Sequence, residues 1–350
     1  LFFFYYFNKF QDSSFNSLND WTNSKLKGGG SVAPHIAGHT MSAHLIPPDD
    51  EQKRNIFRSC RILSEDQLKK DAKALREWMR HQPHLPQEVS DITLQTILVQ
   101  KKNSMEEAKR QIERYFGERN AIPEFFDSQD PLCEDLQSSF DIVYLGICSR
   151  MTPQGERITV AKLRDPKYPE RFNPAQVVKR ITMIADLRIR FEPIEGGEVL
   201  VYDFAGATLS HMSQCSPLLG KHMLDVMKIM PMRFKCALFI NSPPGLETLI
   251  YIVKQFLPEK LQKRIYVYGD DVACLYDHIP RSLLPRDYGG DDMSLDEMTE
   301  NWRRELVANR DWFLNDSLRR ADESKRPLTA SSVPRDRFGT QGSFKTLIID

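Results

Sequence analysis

The chain has 350 residues, 41% of them hydrophobic and 27% charged, with 48 Lys and Arg balanced by 48 Asp and Glu. That length leaves room for one large domain and a smaller one with ample core. Zero net charge excludes a general nucleic-acid binder, whose basic excess would show in the totals, so any recognition of anions must be local. Cys60, Cys133, Cys148, Cys215, Cys236 and Cys274 are scattered with no C-x-x-C spacing. The pattern fits reduced thiols of a cytosolic protein better than a disulfide framework or a zinc site.

The opening LFFFYYFNKF is too short to span a bilayer. It also lacks the basic n-region and small-residue cleavage site of a secretory signal. The first methionine is Met41, which we take as the natural start, and residues 1–50 read as an extension. Residues 11–50, rich in Ser, Asn, Gly and Pro, are expected to be disordered. A small helical domain is expected over 51–128. Leu63-Ser64-Glu65-Asp66-Gln67 starts a Ser-capped helix that runs to about His81 and stops before Pro83 and Pro86. Asp91 caps a second helix to about Val99, and Ser104-Met105-Glu106-Glu107 fits a capping box on a third.

The texture changes over 129–292. Strand-like runs at 142–145, 157–163, 198–204, 235–240 and 264–268 alternate with helical ones at 174–190, 213–229 and 246–257. This predicts an α/β domain with right-handed crossovers and a mostly parallel sheet. A last amphipathic helix is expected from Ser294 to about Leu314, within a segment 293–320, and 321–350 reads as a flexible tail. No segment is long and apolar enough to be a transmembrane span, so membrane contact is expected to be peripheral.

An α/β sheet invites an enzyme reading, but its machinery is missing. There is no G-x-G-x-x-G after a strand, no G-x-x-x-x-G-K-[ST] and no G-x-S-x-G. Ser242 follows a strand, yet Pro243 and Pro244 remove the backbone N–H an oxyanion hole would use. His35/His39 and His81/His84 lack metal partners, and the second pair reads as surface residues at a helix end. Asp203, just before Ala205-Gly206, reads as a turn holder rather than a general base. No catalytic residue, metal site or cofactor site is expected.

The informative stretch is Met230–Arg264, with six basic and two acidic residues. Arg233 and Lys235 lead into the apolar strand Cys236–Ile240. A helix over 246–257 follows, whose apolar residues span an arc of about 160° at 100° per residue. Lys260 and Arg264 then fall four apart on one helical face. Taken alone, helix 174–190 is explained by packing on the sheet and Lys260/Lys263/Arg264 by a solvated face. An over-wide apolar helix between two basic pairs instead reads as an interfacial element that meets something apolar and anionic.

The residues then resemble a family. Val201-Tyr202-Asp203-Phe204-Ala205-Gly206 is similar to the strand ending in D-x-x-G of CRAL-TRIO proteins, in the branch of the alpha-tocopherol transfer protein and the cellular retinaldehyde-binding protein. Phe239-Ile240-Asn241-Ser242-Pro243 resembles its h-x-I-N-x-P, and Phe256-Leu257-Pro258-Glu259-Lys260 with Arg264-Ile265 its P-F-L-x-E-K-x-x-x-R-I. Leu284-Pro285-Arg286-Asp287-Tyr288-Gly289-Gly290 resembles L-P-x-E-Y-G-G. The series covers roughly 60–315, and 338–345 resembles tails of invertebrate members. The resemblance implies a sheet floor and a helical gate sealing one hydrophobic ligand that is tocopherol-, retinoid- or phospholipid-like. It implies pocket and gate residues at Val178, Ile181, Ile184, Ala185, Phe204, Phe239, Leu249, Ile250, Val253 and Phe256. It also implies docking on phosphatidylinositol bisphosphate through Arg233, Lys235, Lys260 and Arg264, with Lys101 supplied by the helical domain. The expected protein is a cytoplasmic monomer, peripherally associated with endosomal or plasma membrane, that transfers lipid. The alternative is a phosphoinositide-binding interaction module that transfers nothing.

Overall fold

A computed structural model of the chain describes residues 44–192, 194–243, 259–315 and 318–327, together with Gly245 and Lys254. The helical part begins with α1 (Asp50–Cys60), opened by a capping box between Asp49 and Gln52. This helix was not anticipated. The residues before it also depart from expectation, since the Ile46 N–H donates to the Ser149 carbonyl at 2.8 Å and Arg157 donates to the Ile46 carbonyl at 3.2 Å. Backbone groups of the sheet domain thus hold a segment whose composition alone suggested disorder.

α2 (Glu65–Arg80) is capped by Ser64 as expected. α3 (Asp91–Gln100) is capped by Ser90 rather than Asp91, the serine oxygen accepting from the Thr93 N–H at 3.0 Å. Ser104 caps α4 (Met105–Gly117) through the Glu107 N–H. His84 is not a surface residue: it is 2% exposed, and its Nε2 lies 3.0 Å from both oxygens of Glu113. The chain after Pro83 folds back under α4 instead of leaving into solvent.

Two short helices, α5 (Pro123–Phe126) and α6 (Glu134–Ile142), lead into the sheet. Its strands are β1 (Val143–Ile147), β2 (Arg157–Leu163), β3 (Glu198–Asp203), β4 (Phe234–Ile240) and β5 (Ile265–Val267), in sequential order. β1 is antiparallel to β2, and every later pair is parallel. Parallel neighbours need crossovers. α7 (Pro174–Phe191) supplies the one between β2 and β3, and α8 (Leu209–Ser213) with α9 (Pro217–Ile229) the one between β3 and β4. The single helix expected over 213–229 is therefore two, broken before Pro217.

Alternation along the strands sends side chains to two faces. Ile158, Val160, Val199, Val201, Leu238 and Ile240 pack on one face against Leu275, Leu284, Leu295 and Met298. On the other face the register sets Ala161, Tyr202, Phe239 and Val267 in one row.

After the sheet, the helix Leu295–Ala308 starts at a Ser294/Glu297 capping box, and Arg310–Leu314 continues it beyond a break at Asn309. The following residues are not the free tail expected from 321 onward. Ala321 is 5% exposed and donates its N–H to Phe116, Asp322 donates to His84, and Arg326 pairs with Glu113 at 2.7 Å. Backbone bonds to α4 and to the turn after α2 convert 318–327 into a strap across the helical part. Among the described residues, no helix is long and apolar enough to cross a membrane.

Candidate lipid pocket and headgroup site

The half of the second sheet face formed by β3, β4 and β5 carries an aromatic floor. Phe239 is 4% exposed, with the Tyr202 ring stacked at 5.1 Å and the Phe204 ring at 5.9 Å, the latter nearly parallel at 4°. Leu200, Met212, Phe234 and Val267 surround Ala237, Phe239 and Ile265 in the same cluster. These side chains gather because parallel register repeats every second residue on one face. The structure thus brings Phe204 and Phe239 together.

It takes the four expected positions on α7 elsewhere. Val178 and Ala185 pack into the core shared with the helical part, while Ile184 and the half-buried Ile181 pack with Leu145, Ile147 and Trp302. Twelve of the helix's eighteen residues are buried, so its apolar positions are used on two sides at once. Leu249, Ile250, Val253 and Phe256 lie outside the described residues. Beside them, Lys254 is helical and donates to the Ile265 carbonyl at 2.9 Å.

The cations converge at the start of β4. Arg233 donates to the Cys60 sulfur at 2.9 Å and Arg264 to the Phe234 carbonyl at 2.8 Å. Lys235 is paired with Glu156 at 2.7 Å, with only 20% and 17% of the two side chains exposed. Lys260 stands exposed on the short helix Glu259–Gln262. From the helical part comes Lys102, an exposed residue that the sequence reading passed over in favour of its neighbour. Its ammonium is held below the usual lysine range first by Arg233 and then by Lys260, with burial and Arg61 adding to the effect. That mutual repulsion marks Lys102, Arg233, Lys260 and Arg61 as one patch of like charge. Among the described residues, none of the four is ion-paired with a carboxylate.

Lys101 is half-buried, and desolvation followed by Arg114 lowers its proton affinity. It therefore faces a different neighbourhood from Lys102. Arg61 and Lys102 both adopt left-handed backbone, at φ 59° and 54°, directly after the ends of α1 and α3. Such a conformation disfavours most side chains by roughly 1 kcal/mol or more. A cation there gains from the negative end of the helix. The only sequence signal for either residue was the Lys101-Lys102 pair after a helix.

The motif residues that suggested an enzyme are occupied by structure. Asp203 accepts from the Ala205 N–H at 2.9 Å, from Asn241 at 2.7 Å and from the Tyr288 hydroxyl at 2.9 Å, with Lys162 at 3.2 Å. Burial and then Asp203 push the Tyr288 hydroxyl well above the usual tyrosine range, so it stays protonated and donating. Gly290 closes the same turn, where a Cβ would meet the Leu284 carbonyl oxygen at 1.9 Å. Asp203 and the 284–290 motif thus form one clasp between the strand ends and the loop beyond β5, as the turn reading of Asp203 anticipated.

Comparison with known proteins agrees with this geometry. Residues 143–290 match the CRAL/TRIO domain, and residues 64–136 match a Pinta-like UBA domain. The alpha-tocopherol transfer protein-like proteins of Pongo abelii and Homo sapiens are each 28% identical over 252 residues, which cover 71% of this chain and 72% of theirs. Clavesin-2 of Rattus norvegicus is 23% identical over 63% of this chain and 67% of its own. The crystal structure of Sfh5 overlaps with a TM-score of 0.42 at 16% identity, covering 71% of this chain and 91% of that one.

Proposed function

The chain belongs to the CRAL-TRIO domain family of lipid-binding and transfer proteins, and we propose that it carries one hydrophobic ligand and docks on phosphoinositide-bearing membrane. The observation that carries this reading is a cationic patch beside an aromatic sheet face, built from both parts of the chain. Arg233 and Lys260, with Lys102 and Arg61, supply charge that no carboxylate in the patch neutralises, as a bisphosphate headgroup requires. Lys235, Arg264 and Lys101 flank it, and Lys235 becomes available to phosphate once it leaves Glu156. Tyr202, Phe204 and Phe239 offer the ligand an apolar floor. Each ligand CH₂ buried there contributes about 0.8 kcal/mol. The helix at 246–257 acts as the gate: its apolar residues Leu249, Ile250, Val253 and Phe256 close the pocket in solution and enter the bilayer at the membrane.

Two measurements test the two halves. Lys260→Glu with Arg233→Glu should abolish co-sedimentation with vesicles containing phosphatidylinositol bisphosphate and leave a loaded ligand in place. Unchanged sedimentation removes the docking role. Native mass spectrometry of the purified chain should find one small lipid per protein. A chain without one, still binding vesicles, is an interaction module.

A further inference from the structure

Between α7 and β3 lies a buried charge network in which three carboxylates face two guanidiniums. Arg188 contacts Glu192 at 2.7 Å and also Glu195 and Glu198, and Arg157 donates to Glu192 at 2.7 Å. No side chain of the five is more than 9% exposed. One negative charge is therefore in excess where water cannot screen it, and burying an uncompensated charge is costly. A second observation says how the excess is met. Gln100, the last residue of α3, donates to a Glu195 carboxylate oxygen at 3.3 Å, yet its own Oε1 has no hydrogen-bond partner although the residue is 4% exposed. Thr96, one turn earlier and 5% exposed, likewise has an unpartnered Oγ1. It lines a small cavity with Arg188, Glu192, Glu195 and Met232. A proton on Glu195 would cancel the excess charge and give Gln100 the donor it lacks.

We propose that this network is a proton-operated latch: one proton held at Glu195 fastens α3 to the lipid-binding domain through Gln100, and its release to solvent unfastens the helix.

The groups around Glu195 support this arrangement from each side. α7 contributes Arg188 and Glu192, β3 contributes Glu198 and β2 contributes Arg157. α3 contributes only the uncharged Thr96 and Gln100, and His44 of the N-terminal segment lies near Arg157 and Glu192. Burial, against the attraction of Arg188 and with repulsion from Glu198 and Glu192, raises the Glu195 carboxyl to about 8. The sign follows: an unfolded glutamate loses its proton near 4.5, so the latch is complete below that pH and is lost as pH rises through about 8. α3 ends next to Lys101 and Lys102, so the latch also sets the position of the helical domain's cations, although its existence does not depend on headgroup binding.

The test uses the full chain without membranes. Amide hydrogen exchange of residues 94–100, corrected for intrinsic rates, should show at least fivefold less protection at pH 8.5 than at pH 6.5. Glu195→Gln, which keeps a neutral donor for Gln100, should remove that difference. Gln100→Met, which deletes the acceptor, should move the midpoint of the wild-type profile to lower pH. Equal wild-type protection at the two pH values overturns the proposal. So does an unshifted midpoint in Gln100→Met, whether or not Glu195→Gln folds.

Discussion

Asp203 illustrates how one side chain holds distant parts of the chain together. Its two oxygens receive the Ala205 N–H, the Asn241 amide, the Tyr288 hydroxyl and the Lys162 ammonium, from the turn after β3, the end of β4, the 284–290 clasp and β2. Asp203→Asn keeps one acceptor and turns the other against its donors, leaving buried groups unsatisfied at about 1–3 kcal/mol each. We expect a lower urea midpoint with an unchanged m-value. His44 makes a different prediction. Burial first, and Arg157 next, lower its proton affinity to about 4, and its ring meets Trp302 edge-on at 5.2 Å. The folded value lies below the unfolded 6.5, so stability present above 6.5 is lost as pH falls toward 4. His44→Phe keeps the ring contact and should flatten the melting temperature between pH 6.5 and 4.5. A slope equal to wild type would assign the acid loss to other groups.

Elements show where local signals lose to packing. The α7 pattern read as a helix packed on a sheet, and the helix is there, but burial of twelve residues makes it the middle layer of the molecule. Its buried Asp186 accepts from the Tyr115 hydroxyl at 2.7 Å and from Arg119 at 2.8 Å, both in the helical part. A periodicity of 3.6 reveals one apolar stripe and says nothing about a second partner. The 318–327 strap makes the same point from the other end of the chain. Its polar composition suggested a free tail, yet backbone N–H groups of Ala321 and Asp322 find carbonyls of Phe116 and His84. Ending the chain at Asn315 should lower the melting temperature by several degrees. Arg326→Ala alone, which removes a half-exposed pair with Glu113, should cost at most about 1 kcal/mol. Equal losses from both would place the strap's contribution in that ion pair.

At the scale of the whole molecule, zero net charge and a strongly basic patch coexist because the balancing carboxylates sit elsewhere. Three stretches far apart in sequence, ending at Arg61, Lys102 and the start of β4, supply the cations. Exposed charges of this kind are screened over about 8 Å at physiological salt. Binding to bisphosphate vesicles should therefore weaken several-fold between 50 and 300 mM salt, and Lys102→Glu should reduce both the binding and its salt dependence. Ligand occupancy, set by apolar burial, should not respond. Salt-independent vesicle binding would point to apolar contacts alone.

The sequence by itself determined the alternation of strands and helices, the parallel sheet and the series of motifs that identified the family. These follow from side-chain period, caps and short ordered patterns, all local in the chain. It also marked Arg233 and Lys260 as candidates, because they bracket one apolar segment. Only the tertiary structure decided that Lys102 and Arg61 stand with them, that Lys235 is held by Glu156, and that α7 turns its apolar residues away from the aromatic floor. Each of those outcomes depends on which surfaces meet when the helical part docks on the sheet. That docking is settled by long-range burial and by pairing of buried charge, which no spacing along the chain records.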